Sequence, residues 1–233
     1  MLVCFAVLAY ISPQIKIMTL SRKLSWIAYS ALAAYTLAVA AVEFFISPRA
    51  ARYFLTDIAS TCPDYGHLPF YAVNTSLSVF FLWAGAVLFL TAWRCLKPEE
   101  TGGKEELFLV SQMLIFFYLG CDDRFMIHEG LSDHLGFKDW MFFGMLGVLE
   151  AGAMLFWGRI FFRGRKVLTD VILAGLLFGI MFATDVVLPY GFPMHLSIED
   201  LAKLWSAFFL FKFAWDTCTE KIDRLKGLQI ENP

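Results

Sequence analysis

Six apolar segments, each about twenty residues long, follow one another along the chain. A helix of about that length crosses the hydrocarbon core of a bilayer and satisfies its own backbone hydrogen bonds there. The predicted helices cover approximately residues 25–46, 70–93, 107–131, 139–160, 168–188 and 199–219. The pattern therefore predicts an all-α fold, a polytopic membrane bundle of about six transmembrane helices.

Short connections that contain proline or glycine separate these segments, and none is long enough to divide the chain. We therefore expect a single transmembrane domain over residues 1–233. Residues 1–17 start with an apolar stretch that is too short to span a bilayer and lacks the features of a signal peptide. We expect this segment to be peripheral.

The composition also indicates a membrane protein. Hydrophobic residues make up 59% of the chain, charged residues make up 17%, and the mean hydropathy is +0.63. These values exceed the apolar share of an ordinary soluble domain. The 19 basic and 21 acidic residues form no basic patch, so we expect membrane lipids and no nucleic acid as partners. The five cysteines lack the spacing of a disulfide framework or a zinc ribbon.

Basic residues predict the orientation of the bundle, because Lys and Arg are retained on the cytoplasmic side. Under the predicted topology, one set of alternate connections carries thirteen Lys and Arg residues, and the other carries only Arg49, Arg52 and Lys138. This asymmetry predicts that both termini are cytoplasmic and that the protein lies in a bacterial inner membrane.

Polar residues gather at the opposite, non-cytoplasmic face in this topology. All four histidines of the chain fall there, together with charged and amide side chains that are costly at bilayer depth. The predicted polar site contains Glu43, Asn74, Asp122, Asp123, Arg124, His128, Glu129, Asp139, Asp185, His195, Glu199 and Lys203.

The third predicted helix contributes the densest group of these residues. If residues 107–131 form one helix, Asp122 and Glu129 share a face, whereas Arg124 and His128 share another and Asp123 lies between. We expect Arg124 to pair with one of the two aspartates or with an acid on another helix. His128 has two interpretations: a histidine hydrogen-bonded to a carboxylate, or a metal ligand.

Other polar residues also have structural interpretations. Ser197 is placed as a helix N-cap, and Glu199 and Lys203 form a favourable pair four residues apart. Glu150 and Lys212 lie deeper, where they belong either to a proton path or to an internal pair.

The chemistry of the polar site suits zinc. Histidine and carboxylate ligands without clustered cysteines are typical of catalytic zinc sites, in which a bound water is activated. At this depth in a bilayer, a lipid is the substrate that can present its scissile bond. The chain has no GxSxG, HExxH or P-loop motif in a usable context.

Three short stretches carry a family resemblance: residues 70–75 (FYAVNT), FMIH at 125–128 followed by Asp139, and FPMH at 192–195 followed by Glu199. Together they resemble the alkaline ceramidase branch of the CREST membrane hydrolases. The resemblance implies a seven-helix zinc amidase, with His128 and His195 as zinc ligands and Asp139 as the family's acid. Arg124 stands where the family has a serine, and Glu199 stands where it has a further histidine ligand.

Two functions follow from these patterns. The first is a metal-dependent hydrolase of a lipid amide or ester, with zinc on His128, His195 and Glu199 and with Asp123, Asp139 and Arg124 as catalytic residues. The second is a small transporter, an ion-translocating protein or an accessory membrane subunit. In that case the acidic and basic cluster is a charge-compensated binding pocket. A b-type haem between the two histidines is a third alternative.

Overall fold

The computed structural model of the protein describes residues 14–46, 51, 72–95, 103–136, 139–158, 165–187 and 194–231. These residues form seven α-helices, and no strand occurs among them, which confirms the predicted all-α fold. The helices are α1 (Gln14–Ala41, continued by the π-helical turn Val42–Ile46), α2 (Val73–Cys95), α3 (Gly103–Phe125), α4 (Ile127–Leu135), α5 (Asp139–Phe156), α6 (Arg165–Val187) and α7 (His195–Glu231).

Three stretches of helix in this part of the chain are long and apolar enough to cross a membrane: Ser25–Ile46, Val73–Cys95 and Lys166–Thr184. A shorter apolar helix covers Met141–Phe156. Helices α3 and α7 are not among them, and both contribute ionisable residues to the polar site described below. The protein is thus a helical protein with membrane-spanning character, whereas a total of six crossings stays a prediction.

Helix α7 organises the packing. It lies along α6 and along α2, and α2 in turn packs along α3. Helix α5 contacts α3 and α4, and α1 contacts α7, where Trp205 Nε1 donates a hydrogen bond to Thr36 Oγ1 at 2.9 Å. The arrangement encloses the central face of α7 between the other long helices.

Aromatic rings and glycines hold α2, α3 and α7 together. Phe89, Phe116 and Phe213 are almost completely buried, and the first two rings meet edge to face with their centroids 5.2 Å apart. Gly85 on α2 faces the Phe116 ring so closely that an added Cβ would lie 2.6 Å from it. Gly120 on α3 faces Trp83 on α2 in the same way. Each helix therefore offers a glycine to an aromatic ring of the other.

The third predicted helix is interrupted, which corrects the assumption of one continuous helix over residues 107–131. Helix α3 ends at Phe125, and the N–H of the next residue, Met126, still donates to the Asp122 carbonyl at 2.8 Å. Met126 itself has a left-handed backbone conformation, with φ 50° and ψ 47°. Helix α4 starts at the next residue and ends before Gly136, which has φ 71°. Residues on either side of Met126 therefore do not share faces as a single helix would place them.

The last helix also differs from its prediction. It starts at His195, directly after Met194 with φ 62°, and it continues to Glu231, beyond the expected end near residue 219. Ser197 therefore lies inside the first turn and is not the N-cap. Its hydroxyl donates to Glu43 in the π-helical turn after α1. A contact with another helix thus replaces the expected local cap.

Candidate functional site

A cavity of about 110 Å³ lies inside the bundle, where the start of α7 meets α2, the end of α3 and the later part of α6. One wall is polar, and the other is apolar and includes three phenylalanine rings. The polar lining residues are Ser78, Asp122, Asp123, His128, Glu199, Lys203 and Ser206, and the apolar wall includes Leu82, Phe143, Phe178, Met181 and Phe182.

Asp123 is the centre of the polar wall. It is only 7% exposed, and its two carboxylate oxygens meet side chains from two other helices. Lys203 on α7 forms an ion pair with Oδ1, and the hydroxyl of Ser78 on α2 donates to Oδ2. A buried charge requires such partners, because an unpaired carboxylate in an apolar interior is strongly unfavourable. The network therefore ties α2, α3 and α7 together at the cavity.

Asp122 points to a different partner. Its Oδ1 accepts the backbone N–H of His128 at 2.8 Å, and its Oδ2 lies 2.8 Å from His128 Nδ1. The first contact satisfies one of the free N–H groups at the start of α4, and the second fixes the orientation of the imidazole. The His128 ring also packs on Phe143 with a centroid distance of 4.5 Å. The break at Met126 makes this pairing possible.

Further polar contacts lie beside the cavity at the same end of the bundle. Asn74 on α2 is fully buried and donates from Nδ2 to the Asp200 carbonyl of α7 at 2.8 Å. His195 is 2% exposed, and its Nδ1 is 3.8 Å from Glu199 Oε2. The Asn74 hydrogen bond and the contact between Ser197 and Glu43 fasten α2 and α1 to the first turns of α7.

Some predicted site residues are not part of this network. Arg124 and Glu129 are exposed, and Asp122 and Asp123 pair with His128 and Lys203 rather than with Arg124. The side chains of Asp139 and Asp185 lie outside the described part of the chain, although both residues belong to helices. The catalytic roles predicted for Arg124 and Asp139 stay predictions.

The same applies to zinc. Among the described residues, no group of three or more His, Cys, Asp or Glu side chains is arranged to hold a metal ion. His128 lines the cavity with Glu199, whereas His195 is not one of the lining residues. The ligand set of His128, His195 and Glu199 therefore stays a prediction.

The sequence analysis missed Ser78, whose hydroxyl donates a hydrogen bond to the second carboxylate oxygen of Asp123. A signal for it exists, because Ser78 lies four residues after Asn74 and therefore on the same face of α2. Two buried polar side chains on one face of an apolar helix indicate a polar neighbour.

Backbone strain is concentrated at the same end of the bundle. The non-glycine residues with positive φ in the described segments are Ala72, Met126 and Met194, and they directly precede α2, α4 and α7. Such conformations cost about 1–3 kcal/mol each and cluster at functional sites. Their position agrees with a functional role for the cavity end.

The two deep ionisable residues have separate partners. Glu150 Oε2 accepts a hydrogen bond from Gln112 Nε2 at 3.0 Å, across α3 and α5. Lys212 Nζ lies 2.9 Å from Asp170 and 3.0 Å from Asp216. Glu150 and Lys212 thus belong to two different clusters, and the internal pair considered between them is not formed.

Comparison with known protein families assigns the chain to a family. A family described as a domain of unknown function, DUF8692, matches residues 28–217, which is most of the chain. No curated protein and no solved structure matches. The matched range includes every residue of the cavity wall described above. The chain therefore belongs to the DUF8692 family.

Proposed function

We propose that the protein is an ion-translocating membrane protein whose cavity binds a small cation. The ion pair between Lys203 and Asp123 on the wall of an internal cavity carries this proposal. A buried ion pair rarely improves stability over a well-packed apolar pair, so its presence within the bundle calls for another role. Ionisable residues inside membrane proteins commonly mark ion and substrate pathways.

The charge of the cavity supports a cation as the ligand. Asp122, Asp123 and Glu199 contribute three carboxylates, and Lys203 contributes one ammonium group. His128 adds a positive charge only when it is protonated. With the imidazole neutral, the formal charge of the lining residues is one minus three, or −2, which attracts cations and repels anions.

The pairing suggests how binding and release work. Lys203 forms the ion pair with Asp123 when the cavity holds no cation, so the buried carboxylate always has a counter-charge. An incoming cation competes with Lys203 for the same carboxylate. The side chain of Lys203 is 28% exposed and that of Asp123 is 5% exposed, so the lysine is the partner with room to move. Ser78 keeps the carboxylate oriented during the exchange.

The size of the cavity is consistent with this ligand. A volume of about 110 Å³ is small compared with pockets that enclose drug-sized molecules. It suits an ion with a few waters, which the carboxylates and the Ser78 hydroxyl can hydrogen-bond.

Ion flux into proteoliposomes tests the proposal. Purified protein is reconstituted, and uptake of Na⁺, K⁺ and protons is followed with ion-sensitive dyes under an imposed gradient. We expect flux of at least one of these cations, its loss in Asp123→Asn, and no effect of metal chelators. Arg124→Gln is the matched control, because it removes a neighbouring charge that is exposed and outside the cavity. Flux that survives Asp123→Asn, or no cation flux at all, overturns the proposal.

A metal-dependent hydrolase of a lipid amide or ester is the second candidate, and the contact between Asp122 and His128 favours it. A carboxylate on Nδ1 commonly orients a zinc-binding or proton-accepting histidine and leaves Nε2 for the chemistry. In this case His195 and Glu199 complete the zinc ligands, as the ceramidase resemblance implies. We expect elemental analysis of the purified protein to find about one zinc per chain and to find none in His128→Ala. Hydrolysis of lipid amides by metal-free protein would exclude this mechanism.

The orientation of the protein in the membrane is part of the same proposal. The bias of basic residues supports cytoplasmic termini and a cavity near the non-cytoplasmic face, in a bacterial inner membrane. In that orientation the cavity takes its cation from the outer side of the membrane.

A further inference from the structure

A carboxyl and an amide form a second polar pair, well away from the cavity. Glu150 on α5 accepts a hydrogen bond from Gln112 on α3, and Gln112 is fully buried. Glu150 is the sole ionisable residue in the apolar helix Met141–Phe156. Gln112 lies ten residues before Asp122 on α3, or about 15 Å along the helix axis. The pair is therefore a separate feature of the membrane interior.

The pair contains more acceptors than donors. Glu150 Oε1 and Gln112 Oε1 are both buried, and neither has a hydrogen-bond partner among the described residues. Buried acceptors without a donor are rare because their lost hydration is not replaced. The amide supplies one N–H to the carboxyl, so at least one acceptor of the pair needs a hydrogen that the described side chains do not provide.

Among the residues that the structure describes, no basic side chain pairs with Glu150. Helix α5 packs against α3 and α4, and Gln112 is the polar group that α3 places against the carboxyl. Helix α6 also contacts α5, where Phe178 meets Phe143, and its Asp170 is paired with Lys212 of α7. The ionisable residues of α4 lie beyond the end of α3, at the level of the cavity. The neighbouring Val148 and Leu149 are exposed on the outer side of the bundle, which faces lipid when the protein lies in a membrane. An ionised carboxylate at this position is costly, and a neutral carboxyl is not.

We infer that Glu150 is a proton-binding site in the membrane interior, with Gln112 as the group that orients its carboxyl. A bound proton removes the charge and converts one unpartnered acceptor into a donor. A metal cation fits less well, because cations bound by proteins require several oxygen ligands and this pair offers only two free ones. The site goes beyond the cation-binding cavity and involves none of its residues.

A hydrophobic carbodiimide detects such a carboxyl, because the reagent enters the bilayer and reacts with protonated acids. The full-length protein in lipid vesicles is treated with dicyclohexylcarbodiimide, and modified peptides are identified by mass spectrometry. We expect labelling of Glu150 at neutral pH that falls as the pH is raised and does not change when Na⁺ replaces choline. Infrared spectra are expected to contain a protonated-carboxyl band that is lost in Glu150→Gln.

Glu106→Gln is the matched control, because Glu106 is an exposed carboxyl near the other end of α3, hydrogen-bonded to Trp93. This variant should keep both the labelling and the infrared band. Asp123→Asn should also leave Glu150 labelling unchanged, so a failure of the proposed cavity function does not affect this test. Absence of both signals at neutral pH shows an ionised Glu150 and overturns the inference. Protection by Na⁺ at constant pH assigns the pair to a cation and overturns it as well.

Discussion

Asp123 shows how a single buried carboxylate determines its surroundings. Its charge is tolerated because a lysine from α7 and a hydroxyl from α2 reach its two oxygens. Removal of one partner leaves a charge with too few contacts, whereas removal of both charges leaves a neutral polar contact. The energetic consequence of a substitution at this site therefore depends on whether its partner is changed too.

We expect Lys203→Met to destabilise the protein by about 3 kcal/mol, because the charge of Asp123 then remains buried and uncompensated. Adding Asp123→Asn in the same chain should restore more than half of this loss. Tryptophan fluorescence during denaturation with SDS gives the free energies of unfolding. Arg124→Met serves as a control and should change stability by less than about 0.5 kcal/mol, since Arg124 is exposed. Strictly additive losses in the double variant would contradict the buried ion pair.

Asp122 illustrates a different role for the same type of residue. Its carboxylate accepts a backbone N–H at the start of α4 and also holds the His128 ring. Asparagine retains an oxygen for the backbone contact, whereas alanine does not.

We therefore expect Asp122→Ala to lower stability by about 1 kcal/mol more than Asp122→Asn, which is the usual contribution of a helix-capping oxygen. Thermal unfolding of the two variants in the same detergent measures the difference. Equal stability of the two variants would show that the backbone contact contributes nothing.

At the scale of elements, the break between α3 and α4 decides which side chains meet. Met126 adopts a left-handed conformation that costs a non-glycine residue about 1–2 kcal/mol. The turn brings His128 back to Asp122, two residues that a continuous helix would separate on different faces. The backbone strain at Met126 is compensated by the two hydrogen bonds between Asp122 and His128, one to the backbone N–H and one to the imidazole, and by the contact of His128 with Phe143.

Whether one substitution raises or lowers the stability of the protein distinguishes a broken helix from a continuous one. Met126→Gly should stabilise the protein by about 1 kcal/mol, because glycine adopts positive φ without a steric penalty. In an unbroken helix the same change would destabilise it by about 1 kcal/mol. Ala151→Gly in α5 is the helical control and should be destabilising, since it is exposed and flanked by regular helix. Thermal unfolding midpoints of the three proteins provide the comparison.

At the scale of the whole molecule, α7 connects the polar groups of the two ends. Its 37 residues correspond to about 55 Å, which exceeds the thickness of a bilayer's hydrocarbon core. Lys203 near its start contacts Asp123, and Lys212 farther along contacts Asp170 and Asp216. Lys221 then pairs with Glu105 on α3 at 2.6 Å. One helix thus supplies the cationic partner for three separate acidic groups.

The orientation of the molecule follows from which end faces the outside. Glu129 is exposed at the cavity end, and Lys104 is exposed at the opposite end of α3. In a chain without its native cysteines, we expect a membrane-impermeant maleimide added to intact cells to label Glu129→Cys. Lys104→Cys should react only after the cells are permeabilised. The reverse pattern would place the cavity on the cytoplasmic side.

The helical, membrane-embedded character of the protein was predictable from the sequence, because it depends on local properties. The length and apolar composition of a segment suffice for a helix whose hydrogen bonds are all internal. The predicted gathering of charged residues at one end also required only the order of the helices. Three of the predicted helices, those over residues 70–93, 139–160 and 168–188, agree with the structure to within a few residues at each end. The first helix begins earlier, at Gln14, the last one ends later, at Glu231, and the third is broken at Met126, where no sequence signal announces a positive φ.

Only the tertiary structure decided which polar groups are partners. Ser78 and Asp123 are 45 residues apart, and Gln112 and Glu150 are 38 apart, so their pairing depends on the contact of different helices. The same sequence pattern was compatible with a pair between Arg124 and a neighbouring aspartate or an acid on another helix. The buried position of Asp123 instead demanded a cation that reaches into the bundle, and α7 packs where Lys203 supplies it.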